Sequence, residues 1–404
     1  MLLQLISGIG AVASAILILS AFPAQGSAQT LHAYVEAAAA RNPELTSLRG
    51  RQQAIGARQR AADSFLPGAP TLSGSYLTDQ GVRNRNQREA QIGLSTPVWL
   101  PGEGTASRRL ADAEFARSSP QAALLRLRVA AQVRDVLAEF ALAAAEVAVS
   151  ERRLTDARAL EADVGRRAEA RDASDADALL ARAERIAADA ELRERRSLMG
   201  QARLEFEGLV GMAPVAAALA EPVPPGTDAG HPRLEDAKGA VDVARANQAL
   251  VGLQSRDNPE VGVIARRNRD IGGRVYDNSI GVELRVPFAT ETRNGPRRAA
   301  AQADLTEASA GYAAAEREVG TEQRKARIGY DAALVQRDLA RDRARTLARQ
   351  SALVGRGYRG GEVSLFDAVR FQALAYDAEA SRVRSDIAVA KAIGRLNQAF
   401  GILP

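Results

Sequence analysis

The chain has 404 residues, enough for two or three globular domains, but only 4% are aromatic and 25% are charged. That is the profile of long helices and coiled coils, and it argues against ordinary domains. The net charge of +5 comes from 54 basic and 49 acidic residues, with Arg interleaved among Glu and Asp, and there is no cysteine. Solvated helix faces are indicated; a nucleic-acid patch, a disulfide framework and a thiolate metal site are excluded.

Residues 1–28 are apolar and uncharged, ending Ala24-Gln25-Gly26-Ser27-Ala28. Small residues at Gly26 and Ala28 suit signal-peptidase cleavage before Gln29. The run from Leu2 to Phe22 is also just long enough to span a bilayer as an anchor. The cleaved export signal is the favoured reading, although no Lys or Arg precedes the apolar run.

A first helix is predicted over 31–65, stopped by Leu66-Pro67-Gly68. The period then changes to two. A strand is predicted over 71–78, a polar loop over 80–88, and a second strand over 91–99. The second strand has Ile92, Leu94, Thr96 and Val98 on one face and Gln91, Gly93 and Ser95 on the other. The next helix runs from 105 to 168, with a local bend and no domain boundary expected at Pro120. Its apolar residues fall at Val129, Val133, Val136, Phe140, Ala143, Val147, Leu154, Ala157 and Val164, broken at Ser150 and Glu161. Leu160 stands beside the second break. Steps of four and three are the 3.5-residue period of a coiled-coil seam. A helix of roughly 70 Å with so narrow a seam must lie against other long helices. A turn at Arg171–Ser174 leads into an antiparallel helix over 175–209, and a Pro/Gly-rich linker, 212–231, follows.

The pattern then repeats. Val129 and Val319, Phe140 and Tyr330, Ser174 and Ser364, and Asp177 and Asp367 are each 190 residues apart; Pro43 and Pro232, and Pro70 and Pro259, are 189 apart. Two copies of one unit are therefore expected, 29–214 and 232–404, joined by a linker at 215–231. The second copy has a helix over 233–254, strands over 260–266 and 279–286, a helix over 297–355 carrying a seven-residue spacing from Leu305 to Ala326, a turn over 355–364 and a helix over 365–400. In its second strand Ile280, Val282, Leu284 and Val286 share one face, and Ser279, Gly281, Glu283 and Arg285 the other. Such alternation fits a water-filled transmembrane barrel or an edge strand of a soluble sheet; four such strands favour the barrel. With their flanking residues the strands are expected over about 70–79, 89–99, 259–267 and 276–288. Tyr76, Trp99, Tyr276 and Phe288 lie near strand ends, where an interfacial girdle belongs.

Two histidines, His32 and His231, have no acid–base constellation around them, so no enzyme activity, cofactor or catalytic metal is predicted. Gly355-x-Gly357-x-x-Gly360 spells a dinucleotide fingerprint but follows a helix, so the phosphate-cradling scaffold is missing.

The duplicated helix–strand–strand–helix–turn–helix unit resembles the TolC family of outer-membrane channel proteins. The tip Tyr358-Arg-Gly-Gly-Glu-Val-Ser-Leu-Phe-Asp367-Ala is similar to the family's tyrosine–glycine–aspartate turn, and Ala170-Arg-Asp-Ala-Ser-Asp-Ala-Asp177 is a weaker version. Ile92-Gly-Leu-Ser-Thr-Pro97 and Ile280-Gly-Val-Glu-Leu-Arg-Val-Pro287-Phe resemble its strand-to-helix passages. The resemblance implies a mainly α chain with four transmembrane strands, three chains closing a 12-stranded barrel continued by a periplasmic α-helical barrel. It implies an outer-membrane channel of a Gram-negative tripartite efflux or export system, similar in length and lack of a lipid-anchor cysteine to the heavy-metal RND branch. The partners implied are two further copies, a periplasmic adaptor, an inner-membrane pump and outer-membrane lipid, and the cargo heavy-metal cations or drugs. By position Asp177 and Asp367 match the family's periplasmic aperture, with Arg370 and Tyr358 beside them. Arg370 stands where a second acid is usual, and would neutralise Asp367 at a three-residue spacing. The alternative role for both aspartates is stabilisation of a helix N-terminus. Arg171, Ser174, Gly360, Gly361 and Ser364 would form the adaptor-contact turns, and Glu283 and Arg285 would face the lumen. The alternative from another class is a soluble periplasmic coiled-coil protein of adaptor type.

Overall fold

A computed structural model describes residues 24–82, 85–226, 230–271 and 273–404, with side chains from Leu31 onward. The expected export signal or anchor over residues 1–23 lies outside the described residues. The elements run α1 (Ala24–Arg41), α2 (Pro43–Ala62), β1 (Thr71–Thr78), β2 (Arg88–Pro97), α3 (Glu103–Glu169) and α4 (Asp175–Val210). A 3₁₀ turn (Ala216–Leu219) precedes α5 (Pro232–Leu253), β3 (Glu260–Arg269), β4 (Asp277–Arg285), α6 (Glu291–Arg359) and α7 (Leu365–Ala399). Among the described residues no helix is long and apolar enough to cross a membrane.

The single helix expected over 31–65 is two helices, divided at Asn42. Pro43 has no N–H to donate and disfavours helical geometry in the residue before it, so it ends α1 and opens α2. Its repeat mate Pro232 opens α5, and the mates Pro70 and Pro259 each stand immediately before a strand. At the other end, α6 runs through Gly355 and Gly357 to Arg359, where a turn from 355 was expected. Two glycines weaken a helix by about 1 kcal/mol each, too little to stop one already 60 residues long. Pro120 likewise lies inside α3 without ending it.

The chain forms two compact units that cut across the two copies. One unit holds 44–124 and 232–318: α2, α5, the four strands and the first parts of α3 and α6. There, α2 is tied to α3 by Arg58 and Glu114 at 3.0 Å and by Gln52 donating to Ser118 at 3.1 Å. Arg117 pairs with Asp236 of α5 at 2.9 Å. The helices approach closely because Gly239 lies under Arg117, where a Cβ would stand 2.9 Å from its Cγ.

The other unit holds residues up to Pro43, 125–231 and 319–404. Leu31, Tyr34 and Val35 of α1 are buried with Phe206 and Val210 of α4. Tyr34 meets Phe206 edge-on at 4.9 Å and donates its hydroxyl to the Ala213 carbonyl at 2.9 Å. The α3 seam is buried at Val129, Val133, Val147, Leu154, Ala157 and Val164. Between these, Leu137 and Ala141 are buried where Val136 and Phe140 were expected. Ala130, Arg134 and Ala138 are buried too, so this stretch has a wide buried face and not a two-in-seven seam. Both seam breaks have partners on α4: Ser150 donates to Glu191 at 3.5 Å, and Glu161 pairs with Arg185 at 2.7 Å.

The segment read as a linker is built into this unit. Glu221 accepts two bonds from Arg134, at 2.8 and 2.7 Å, and one from Asn397 at 3.0 Å. Arg134 also donates to Gln398 at 2.9 Å and to the Ile402 carbonyl at 3.2 Å. The pair's side chains are 7% and 3% exposed, so each charge depends on the other. Gly394 leaves the room, since a Cβ there would stand 3.2 Å from Glu221 Oε1. Replacing Glu221 with Ala strands a buried guanidinium and is expected to lower stability by about 3–5 kcal/mol. Denaturant unfolding of the variant against the parent protein measures it; a loss below about 1 kcal/mol would mean the clasp carries no weight.

Candidate functional site

The four strands form one antiparallel sheet in chain order, β1 to β4. Because side chains alternate faces, the register sorts them into rows. One row reads Leu72, Leu94, Val263 and Val282; the next toward the hairpin loops reads Gly74, Ile92, Ala265 and Ile280; on the other side come Thr96, Val261 and Leu284. The large apolar residues of these rows are all exposed, Ile280 at 83% and Val282 at 78%. The sheet thus carries a continuous apolar band that none of the described residues covers.

The opposite face is polar. Arg285 bridges Glu260 at 3.4 Å and Glu283 at 3.6 Å, and Arg266 pairs with Glu89 at 3.0 Å while donating to Gln91 at 3.1 Å. The structure therefore gives the predicted pair Glu283 and Arg285 three charged companions that the sequence reading did not single out. The alternation of β3 implied two of them, since Val261 and Val263 on one face force Glu260 and Arg266 onto the other. Ile264 is the exception on this face. It lies in the row Ser73, Gly93, Ile264 and Gly281, and a Cβ on Gly93 or Gly281 would approach it to 3.2 or 3.4 Å. Its bulk occupies the space that the two glycines leave. Of the expected girdle residues, Tyr76 is exposed on the apolar face, Phe288 is exposed beyond β4, and Trp99 donates its indole N–H to the Ser64 carbonyl at 3.1 Å.

The helix–turn–helix tips form the second candidate region. They are one turn built twice. Ala170 and Arg171 donate backward to Arg166 and Ala168, and Gly360 and Gly361 donate to Arg356 and Tyr358; Asp172 donates to the Arg167 carbonyl at 2.7 Å and Glu362 to Gly357 at 2.9 Å. The left-handed position is Arg171 (φ 66°) in one tip and Gly361 (φ 77°) in the other. The glycine string around 355–361 serves this turn: a Cβ on Gly357 would lie 2.8 Å from Val363. Val164, Ala181 and Leu365 form a buried cluster against which Leu160 and Tyr358 pack, so both tips share one apolar core. Leu160 thus takes over where Glu161 breaks the seam.

Asp177 and Asp367 occupy matching places. Ser174 donates its hydroxyl to Asp177 Oδ2 at 2.8 Å and accepts from the Asp177 N–H at 3.1 Å; Ser364 does the same with Asp367, at 2.7 and 3.1 Å. Each pair caps a helix, with Ser as the N-cap. Among the described residues neither aspartate forms an ion pair within the chain. The Asp367–Arg370 neutralisation expected from spacing is not made, because Asp367 turns back to its cap while Arg370 points to solvent. Tyr358 has the Arg167 guanidinium over its ring at 5.3 Å. Burial raises its phenol pKa; Arg167 works against this, and Asp163 and Asp177 add to the rise. Leu179 and Phe366, not singled out from sequence, are exposed beside the caps, at 65% and 63%.

No protein-family model and no curated protein matches the sequence. Solved structures do match. The outer membrane protein VceC from Vibrio cholerae superposes with a TM-score of 0.70 at 17% identity, over 92% of this chain and 96% of that one. The transmembrane channel protein CusC gives 0.76 at 16% identity, over 94% and 92%. The Campylobacter jejuni CmeC outer membrane channel gives 0.71 at 15% identity, over 92% and 86%. The chain has the fold of the TolC-family outer-membrane channels.

The paired tips make their own test possible. A non-glycine residue in the left-handed region costs roughly 1–2 kcal/mol, so Arg171→Gly is expected to stabilise by about 1 kcal/mol and Gly361→Ala to destabilise by a similar amount. Melting midpoints of the two variants against the parent protein measure this. Equal shifts in the same direction would show that the two tips are not the same turn.

Proposed function

We propose that the chain is one third of a channel in the outer membrane of a Gram-negative bacterium, with its helical part in the periplasm. It would act as the passive outlet of a tripartite efflux or export system. The observation that carries this reading is the sheet: a polar-charged face opposite an exposed apolar band, bounded by two strands, β1 and β4, with unpaired outer edges among the described residues. In lipid those edges must be paired, and four strands from each of three chains give about 12, within the range that closes a barrel. The exposed stripe Ile328, Val335, Leu339 and Leu353 on α6 supports the same assembly for the helices. Cargo, whether heavy-metal cations or drugs, would be selected by an inner-membrane pump. The tips, with Arg171, Ser174, Gly360, Gly361 and Ser364 around exposed Leu179 and Phe366, would meet a periplasmic adaptor.

The test combines assembly with strand polarity. The detergent-solubilised protein is expected to be a trimer, and Val282→Arg to cost about 2–4 kcal/mol at midplane depth while Glu283→Ala stays near neutral. A folded monomer by light scattering, or equal losses at the two sites, would sink the barrel.

The aperture role of Asp177 and Asp367 is part of the same proposal. Asparagine keeps a side-chain oxygen that can accept from the N-cap serine but removes the charge, so the Asp177→Asn, Asp367→Asn double variant separates the two roles. Cation selectivity in planar bilayers is expected to fall at low salt, with the difference screened out near molar salt. Identical selectivity at low salt would assign both residues to capping alone.

A further inference from the structure

At the loop end of the sheet the apolar face changes character within two rows. Beyond Ile92 and Ile280 comes the row Tyr76, Ala90, Arg267 and Asn278, followed by Thr78, Arg88 and Arg269. At about 3.3 Å per residue these rows stand roughly 7 and 13 Å along the strands from the isoleucines. Among the described residues Arg88, Arg267 and Arg269 form no ion pair. The acids nearest in register, Glu89 and Asp277, alternate onto the opposite face, where Glu89 is taken by Arg266 at 3.0 Å. Three guanidiniums are therefore gathered at the edge of an apolar band with no acid on their own side among the described strand residues.

Neutral groups hold two of them there. Arg267 and Arg269 both stack on the Tyr276 ring, with Cζ at 4.5 and 4.9 Å from its centre. Arg269 also donates to the Asn86 carbonyl at 3.1 Å and to the Asn86 side chain. Tyr76, Arg88, Ala90, Arg267 and Tyr276 line a hollow of about 310 Å³. Stacking orients the cations without neutralising them, and an anion in the hollow would relieve their mutual repulsion.

We propose that this hollow binds the phosphate of a phosphorylated glycolipid head group whose acyl chains lie along the apolar band. The proposal rests on the outer-membrane reading, which places the loop end of the sheet at the outer leaflet. Arg presents a planar fork that matches phosphate oxygens with two parallel charge-assisted bonds. A soluble anion would use the guanidiniums but not the apolar rows directly below them. A lipid uses both, because its phosphate and its chains have the same adjacency as the two parts of this face.

The trimer is reconstituted into phosphatidylethanolamine vesicles containing bisphosphorylated lipid A, dephosphorylated lipid A or phosphatidylglycerol. It is then re-extracted and washed, and retained lipid is quantified by mass spectrometry. The parent protein is expected to retain bisphosphorylated lipid A at least tenfold over the dephosphorylated form and over phosphatidylglycerol. The Arg88→Gln, Arg267→Gln, Arg269→Gln variant is expected to lose that preference while keeping trimer and conductance, and Arg266→Gln on the other face is expected to keep it. Equal retention of both lipid A forms by the parent protein overturns the site, with or without a folded variant. Preference for phosphatidylglycerol overturns the glycolipid as occupant. If the parent protein neither trimerises nor conducts, the channel reading itself has failed; if it conducts without the lipid preference, only this inference has.

Discussion

The backbone of two strands constrains everything else in this molecule. β1 and β4 each pair on one side only, leaving a row of N–H and C=O groups along the outer edge. Water can satisfy such groups; hydrocarbon cannot, and each unsatisfied one costs several kcal/mol. The same sheet displays Leu72, Leu94, Val263 and Val282 across all four strands on an uncovered face. In the proposed channel, an edge that needs a partner and a face that needs a nonpolar surround would be answered together by closure within a membrane.

The helices are incomplete in a different way. Alanine-rich surfaces permit close approach but bury little area per residue, so alignment falls to charged pairs. Arg153 reaches Glu184 and Glu191 of α4, both at 2.7 Å, and Glu146 takes Arg195 and Arg384 from two neighbouring helices at 3.0 and 2.6 Å. Each of these half-buried pairs contributes modestly by itself. Repeated along helices of this length, they penalise a sliding error at several points at once. Arg134 and Glu221 differ in being buried, and they lock the chain between the two copies into the helical packing.

Much of this was legible because the sequence signals are local. Period-two alternation placed the strands to within a few residues, and a spacing of 189–190 tied the prolines and tip serines of the two copies together. What was missed is mostly non-local. Nothing near Glu221 marks it as the partner of Arg134, 87 positions earlier. The exchange of Val136 and Phe140 for Leu137 and Ala141 depends on a face with several neighbours, which a one-seam reading cannot anticipate. The break at Asn42 was the exception, since Pro43 was in view and its effect on the preceding residue follows from sterics. At the tips, the family resemblance emphasised the charge of Asp177 and Asp367, while the local spacing Ser-x-x-Asp described their bonds in the chain.

The matched prolines carry a consequence for how such a chain ages. Pro43 and Pro232 open helices, and Pro70 and Pro259 precede strands, in both copies. Between these points the helices are filled with Ala, Arg, Gln and Glu, which substitute for one another at small cost on solvated faces. The instructions for the fold are thus concentrated in a few residues that forbid a conformation, and diluted over hundreds that merely permit one. Mutation can rewrite the permissive stretches almost freely while the punctuation stays. A lineage built this way keeps its architecture long after its text has ceased to be comparable.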